Sequence, residues 1–240
     1  MHKQNQIKLN CTYLVKFDEL LKKAQKMPKP ENISKIDSYR RDEELRRRIN
    51  SFLIKSFHLR SDDYFAKMDL GSLLELKSVL SDINNTLTMR LTLGFAEWLA
   101  QVLKMDQVVL DQLRSDVLST KPNANGYDIA FQNTEYPSII AEVKCNLPIN
   151  GGTKYGAAQR NGIIADIDAL LHGKRKASYP PSQTDSLKFM VFLDVPEVRA
   201  ANAHLMESNS KISKEFRFLE PSQLPSDPKI VYGVYAHLGA

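Results

Sequence analysis

Three charged residues on two neighbouring segments have the types and the spacing of a cation site. Asp128 belongs to residues 126–131, and Glu142 and Lys144 belong to residues 139–145. Both segments have the composition of strands, and the polar stretch between them predicts a hairpin. In a symmetric hairpin, Asp128 lies directly opposite Glu142, which places their Cβ atoms about 4.5–5.5 Å apart. Two carboxylates at that distance could share one divalent cation.

Lys144 lies on the same side of its strand as Glu142, because side chains along a strand alternate between faces. Mg²⁺ binds through one or two carboxylates together with phosphate and water, and it can polarise a phosphoryl oxygen or lower the pKa of a bound water. A lysine beside it can orient or deprotonate that water, or stabilise a pentavalent phosphate. The set therefore predicts a site suited to phosphodiester hydrolysis. The opposite, apolar face of the strand consists of Ile139, Ala141, Val143 and Cys145.

The alternative is an exposed hairpin face, on which the three charges are solvated and Asp128 or Glu142 pairs with Lys144. Three features favour the cation site over this reading. The separation of Asp128 from Glu142 fits a hairpin, the Glu-x-Lys triplet stands in an apolar strand, and an expected helix that carries Gln159 follows it.

Asp128 followed by Glu142-Val143-Lys144 resembles the PD-(D/E)XK signature of restriction-endonuclease-like nucleases. The resemblance covers residues 97–171 and departs from the family at Tyr127, where proline is common. It implies an α/β (α+β) fold, with a restriction-endonuclease-like mixed β-sheet core flanked by helices and a helical extension at the N-terminus. The expected division is a basic, mainly helical region over residues 1–85 and a catalytic core over residues 86–240.

The resemblance also implies a role for each residue of the set. Asp128 and Glu142 would hold Mg²⁺, or Mn²⁺ in its place, and the carbonyl of Val143 would add a ligand. Lys144 would position or activate the attacking water. Glu97, on an expected helix ahead of the aspartate strand, would be a further metal ligand.

Two of the candidate residues have alternatives that the sequence leaves open. Glu97 is either a metal ligand or a surface glutamate. Gln159 lies on an apolar stripe of an expected helix over residues 155–171, where it either supports catalysis in the active site or caps a neighbouring loop. Asp166 and Asp168 lie deeper in the same helix, and a solvated face suits them better.

The implied activity is that of a Mg²⁺-dependent endodeoxyribonuclease acting on double-stranded DNA. The form we favour is a type II site-specific restriction endonuclease that leaves 5′-phosphates and acts as a homodimer on a two-fold site. The alternatives are a nonspecific or structure-specific nuclease of repair or phage defence, and a catalytically inactive DNA-binding protein of the same fold.

The charge distribution of the chain fits a polyanionic partner. The net charge is +5, and residues 1–60 contain 15 Lys and Arg against 7 Asp and Glu, whereas the rest contains 18 against 21. A basic front part could bind the phosphate backbone, although a solvated helix face would have the same composition. The candidate DNA contacts are Arg46, Arg47 and Arg48 on an expected helix, and Lys174, Arg175 and Lys176 after another.

The sequence also limits the compartment. No stretch approaches the roughly 18 apolar residues of a membrane span, and the first residues lack the apolar run of a signal peptide. Cys11 and Cys145 form no metal pattern and are expected to be small buried hydrophobes. We expect a bacterial cytoplasmic protein.

Hydrophobic periodicity predicts the elements that position these residues. A first helix has the apolar stripe Leu45, Ile49, Phe52 and Leu53, and the first strand of the core is expected near residues 107–113 or Val117. Further helices are expected over residues 70–80, 86–104, 155–171 and 196–206, and strands over 126–131, 139–145, 188–194 and 230–237.

Overall fold

The structure is a computed structural model that describes residues 38–120, 126–148, 152–174, 185–209, 212–220 and 223–239. The chain forms two compact units, Met1–Ser78 and Val79–Ala240. The sequence suggested a division after residue 85. Among the described residues, no helix is both long enough and apolar enough to cross a membrane.

In the first unit, helix α1 (Ser38–Phe57) is tied to a short 3₁₀ turn at Phe65–Lys67. Asn50 makes this connection. Its side-chain amide donates to Asp63 Oδ1 at 2.9 Å and accepts from the backbone N–H of Phe65 at 2.9 Å. The turn therefore contacts α1 through polar bonds.

The apolar stripe expected on α1 is not buried within the described residues. Leu45 is 47% exposed and Phe52 is 57% exposed, while Ile49 and Leu53 are half-buried. The predicted helix is confirmed. The segment around Asp63 and Phe65 packs back against it at Asn50 and does not cover the apolar stripe.

Helix α2 (Leu70–Leu103) is continuous, whereas the sequence predicted two helices with a break after residue 80. The connecting residues 81–85 contain neither proline nor glycine. Polar residues with modest helix propensity cost only a few tenths of a kcal/mol each, roughly up to 0.7, so the helix continues through them.

Helix α3 (Gln107–Ser119) occupies the segment in which the first core strand was sought, so that interpretation was wrong. Asp106 caps the helix, because its carboxylate accepts from the backbone N–H of Val109 at 2.9 Å. Leu113 and Val117 are its buried residues. Leu113 and Val117 are four residues apart and therefore lie on one face of a helix. Burial of this face outweighs the preference of the β-branched Val108 and Val109 for strands.

The described residues contain five strands, β1 (Ile129–Phe131), β2 (Ile139–Lys144), β3 (Leu187–Leu193), β4 (Phe216–Phe218) and β5 (Val231–Ala236). They form one mixed sheet in the order β1-β2-β3-β5-β4. The hairpin strands β1 and β2 are antiparallel, and every other neighbouring pair is parallel. Helix α4 (Ala157–His172) connects β2 to β3, and α5 (Pro196–Glu207) follows β3. A mixed sheet with helices is therefore confirmed.

The two faces of the sheet have separate hydrophobic cores. One core joins α2 and α3 to Ile139, Ala141 and Val143 of β2, which confirms the apolar face expected for this strand. The other joins α4 and α5 to Ile140 of β2 and to β3. Because side chains alternate along a strand, Glu142 and Lys144 lie on the α4 side.

Two helical glycines give a matched test of this packing. A Cβ on Gly94 in α2 would lie 1.9 Å from the carbonyl oxygen of His237, whereas a Cβ on Gly162 in α4 would meet no atom within 4 Å. We expect Gly94→Ala to lower the free energy of unfolding by about 1–3 kcal/mol through overpacking. Gly162→Ala should raise it by about 0.5–1 kcal/mol through helix propensity. Urea unfolding followed by circular dichroism measures both, and equal effects would contradict the packing described.

Candidate active site

The hairpin has the register that the sequence predicted. Ile129 pairs with Ala141, and Phe131 pairs with Ile139. Continuing this pairing by one residue places Asp128 opposite Glu142. The two carboxylates interact electrostatically in the folded protein, so the structure brings together the pair on which the predicted metal site depends.

A backbone hydrogen bond fixes the Asp128 carboxylate. The N–H of Val143 donates to Asp128 Oδ2 at 2.7 Å. The N–H and C=O of one strand residue point to the same edge, so the Val143 carbonyl is directed to the side on which Asp128 lies. The orientation required for the predicted carbonyl ligand is therefore present.

Glu142 is a buried carboxylate with a lysine partner. Its side chain is 6% exposed, and its Oε1 lies 2.5 Å from Lys174 Nζ. Burial and the neighbouring Asp128 raise the pKa of Glu142 to about 7, although Lys174 acts against this. Burial also raises the pKa of Asp128, against the opposing effect of the Val143 N–H.

Lys174 is part of this site, although the sequence placed it on a loop as a candidate DNA contact. Its Nζ donates to the carbonyl of Gly126 at 2.5 Å and lies 5.3 Å from the centre of the Tyr127 ring. Gly173 ends α4 with φ of 99°, a conformation that glycine adopts at little cost. The chain turns at Gly173 and directs Lys174 towards the hairpin, where its ammonium neutralises the Glu142 carboxylate.

Lys144 forms an ion pair with Asp166 of α4, and both side chains are about three-quarters buried. Burial lowers the pKa of Lys144, but the pair with Asp166 and the charges of Glu142 and Asp128 outweigh burial and hold it above its ordinary value. Lys144 is therefore an ammonium at neutral pH.

The expectation that Asp166 belongs to a solvated helix face was wrong. Ile163, Ile167 and Leu170 are the buried residues of α4. Asp166 is three positions after the first and four before the last, which puts it on the same helix face. The spacing was a usable signal. Asp168 fits the solvated reading, since its side chain is 74% exposed.

Gln159 holds the loop after β2 against the start of α4. Its Nε2 donates to the carbonyl of Leu147 at 2.8 Å, and its Oε1 accepts from the N–H of Gly156 at 3.2 Å. Of the two readings that the sequence left open, these contacts correspond to the loop cap.

Glu97 is not brought to the carboxylate pair. It lies on α2, whose core packs on the opposite face of the sheet from Glu142. Its Oε1 is 2.8 Å from Arg114 Nη2 of α3. No group of three or more His, Cys, Asp or Glu side chains in the described ranges is arranged to hold a metal ion.

The candidate DNA contacts of the first unit are mostly engaged with carboxylates. Arg46 pairs with Asp63, and Arg47 pairs with Glu44 through Nε and Nη2 at 2.8 and 2.7 Å. Arg48 is exposed. Arg175, Lys176 and Cys11 lie outside the described residues, and Cys145 is half-buried with its Sγ 3.0 Å from Thr88 Oγ1.

The donor set fits a hard divalent cation. Mg²⁺ takes oxygen ligands and is commonly bound by one or two carboxylates, which Asp128 and Glu142 provide. Glu142 Oε1 and Asp166 Oδ2 are buried, and each is in ionic contact with a lysine.

Comparison with known proteins identifies no relative, since no protein-family model, curated protein or solved structure matches the chain.

The raised pKa of Glu142 makes stability depend on pH. Between 4.5 and about 7 the folded protein holds a proton that the unfolded chain has lost, so the free energy of unfolding falls as pH rises through this window. We expect Glu142→Gln to stabilise the protein at pH 8 by up to about 3 kcal/mol and to have little effect near pH 4. Urea unfolding at both pH values measures this difference.

The matched control is Glu135→Gln, because Glu135 lies exposed in the turn of the same hairpin. Its effect should be small and equal at both pH values. A stabilisation by Glu142→Gln that does not change with pH would contradict the assigned burial and charge repulsion.

Proposed function

We propose that this chain is a Mg²⁺-dependent endodeoxyribonuclease with a site of the PD-(D/E)XK type. The observation that carries the proposal is the hairpin register, which opposes Asp128 to Glu142 and leaves Lys144 on the same face as Glu142. These are the three residues of the signature, and their common face supports a shared site.

The connectivity of the sheet supports a restriction-endonuclease-like fold. The antiparallel hairpin β1–β2 is followed by α4, and the next strand, β3, lies parallel to β2. Helix α4 covers the sheet face that holds Glu142 and Lys144, so the site lies between a strand and the helix that follows it.

The proposed chemistry divides between the carboxylates and Lys144. Asp128 and Glu142 would hold Mg²⁺, with the Val143 carbonyl beside them, and the ion would supply polarisation of the phosphate and of a water. The pKa of Lys144 is raised, so its ammonium donates to a phosphate oxygen or orients the water and is a poor general base. In-line attack that expels the 3′ oxygen leaves a 5′-phosphate.

We further propose a type II restriction endonuclease that acts as a homodimer on double-stranded DNA. The basic front part of the chain would supply phosphate contacts. A nonspecific nuclease and a catalytically inactive DNA-binding protein are the outcomes against which this form is tested.

Plasmid cleavage tests the proposal directly. With Mg²⁺ the wild-type protein should cut, and Asp128→Asn and Lys144→Ala should each reduce the rate by at least about 100- to 1,000-fold, because each removes stabilisation of charge in the transition state. Discrete fragments indicate a site-specific enzyme, and a smear indicates a nonspecific one.

The control is Asp168→Asn, which changes an exposed carboxylate on α4 and should leave the rate unchanged.

Binding of DNA by Lys144→Ala, measured in Ca²⁺, should persist, since the lysine acts mainly in the transition state. Intact plasmid under all metal conditions, with DNA still bound, would support the inactive DNA-binding protein instead.

The contribution of α1, the basic helix, to DNA binding is measured by the salt dependence of the affinity. Arg48 has no carboxylate within ion-pair distance among the described residues, whereas Nε and Nη2 of Arg47 both donate to the Glu44 carboxylate. Arg48→Gln should lower the slope of log affinity against log salt by about 0.9, and Arg47→Gln should change it less. Fluorescence anisotropy in Ca²⁺ at several salt concentrations gives the slope. No change with Arg48→Gln would show that this face is only solvated.

A further inference from the structure

Asp166 contacts Lys144, but it has no role in the reaction proposed above. We propose that Asp166 is a positioning residue, which holds the ammonium of Lys144 away from Glu142 and so keeps a second lysine from pairing with this metal-binding carboxylate, which already contacts Lys174. This inference rests on the proposed function, since it concerns the lysine of the same site.

The site contains two lysines and three carboxylates, and the ion pairs divide them in a particular way. Lys174 is 2.5 Å from Glu142, and Lys144 is paired with Asp166. Lys144 and Glu142 are two residues apart on one face of β2, and they interact electrostatically. Asp166 therefore competes with Glu142 for the ammonium of Lys144.

The packing of α4 makes Asp166 a stable anchor. Ile163 and Ile167, on either side of it in the helix, are each 3% exposed. Burial of both restricts rotation of the helix, and the low dielectric around a half-buried pair strengthens its attraction. Asp168 differs in each respect, since it is exposed and its partner is His172 at 3.1 Å.

Loss of Asp166 should release Lys144 to Glu142, which lies two residues away on the same face of β2 and interacts with it electrostatically. That contact has two consequences. The ammonium leaves the position from which it meets the phosphate, so kcat falls, and Glu142 gains a second cationic neighbour that opposes metal binding. Binding of DNA along the rest of the protein should change little.

Steady-state cleavage at varied DNA and Mg²⁺ concentrations tests this. We expect Asp166→Asn to lower kcat by about 10- to 100-fold, the effect of misplacing a catalytic group by about 1 Å. KM for DNA should be unchanged, and a higher Mg²⁺ concentration should be needed for half-maximal rate. Asp166→Glu should restore part of kcat, because it keeps the charge, and Asp168→Asn should match the wild type.

Unfolding supplies a readout that does not depend on cleavage. The urea midpoints of Lys144→Met, Asp166→Asn and the double variant form a cycle, and the double variant should shift the midpoint by less than the sum of the single shifts. Additive shifts would overturn the inference, as would an Asp166→Asn variant with wild-type kcat. A wild-type protein that cuts no DNA would overturn the proposed function, and the cycle would still decide whether Asp166 holds Lys144.

Discussion

The site depends on how the charge of two adjacent carboxylates is balanced, of which Glu142 is buried and Asp128 is half-buried. Asp128 and Glu142 lie opposite each other in the hairpin. Burial raises the pKa of each, and the charge of Asp128 raises the pKa of Glu142 further. The N–H of Val143 and the ammonium of Lys174 reduce the cost of keeping them in this position. A fold that concentrates negative charge in a low dielectric gains free energy when a cation binds there, because the cation relieves a repulsion already present.

The helical layers on the two faces of the sheet both lower the dielectric around the carboxylates, but they pack against different residues of β2. Helices α2 and α3 cover the apolar side of β2 and set the position of the strand through its alternate residues. Helix α4 covers the other side with an apolar stripe, and Asp166 interrupts the stripe at the point where it meets Lys144. A polar residue there requires a partner, since an unsatisfied buried carboxylate would cost several kcal/mol, roughly 3–5 for a broken buried pair. The lysine and the aspartate thus stabilise each other's burial.

Local patterns predicted the parts of this arrangement that depend on neighbouring strands. Alternation and turn composition were sufficient for the hairpin register, for the apolar face of β2 and for the common side of Glu142 and Lys144, because strand pairing has a period of two. The roles of Lys174 and Asp166 depend on how α4 lies against the sheet, which no local pattern specifies. The burial of Asp166 could have been inferred from its spacing to Ile163 and Leu170. The continuous α2 and the helical α3 were missed because weak helix formers and β-branched residues were given more weight than capping and the absence of breakers.

The charges of the site also bear on the order in which its ligands bind under the proposed function. With every group ionised, Asp128, Glu142 and Asp166 against Lys144 and Lys174 give a net charge of minus one. A divalent cation alone would bring this to plus one, and the single negative charge of a phosphodiester would then bring it to zero. Each ligand therefore removes the charge imbalance that the other creates, so metal and DNA phosphate should bind more tightly together than separately. Lys174 would contribute to this coupling, because its ammonium, which contacts Glu142 in the structure, would be available to a phosphate if Glu142 held a metal ion.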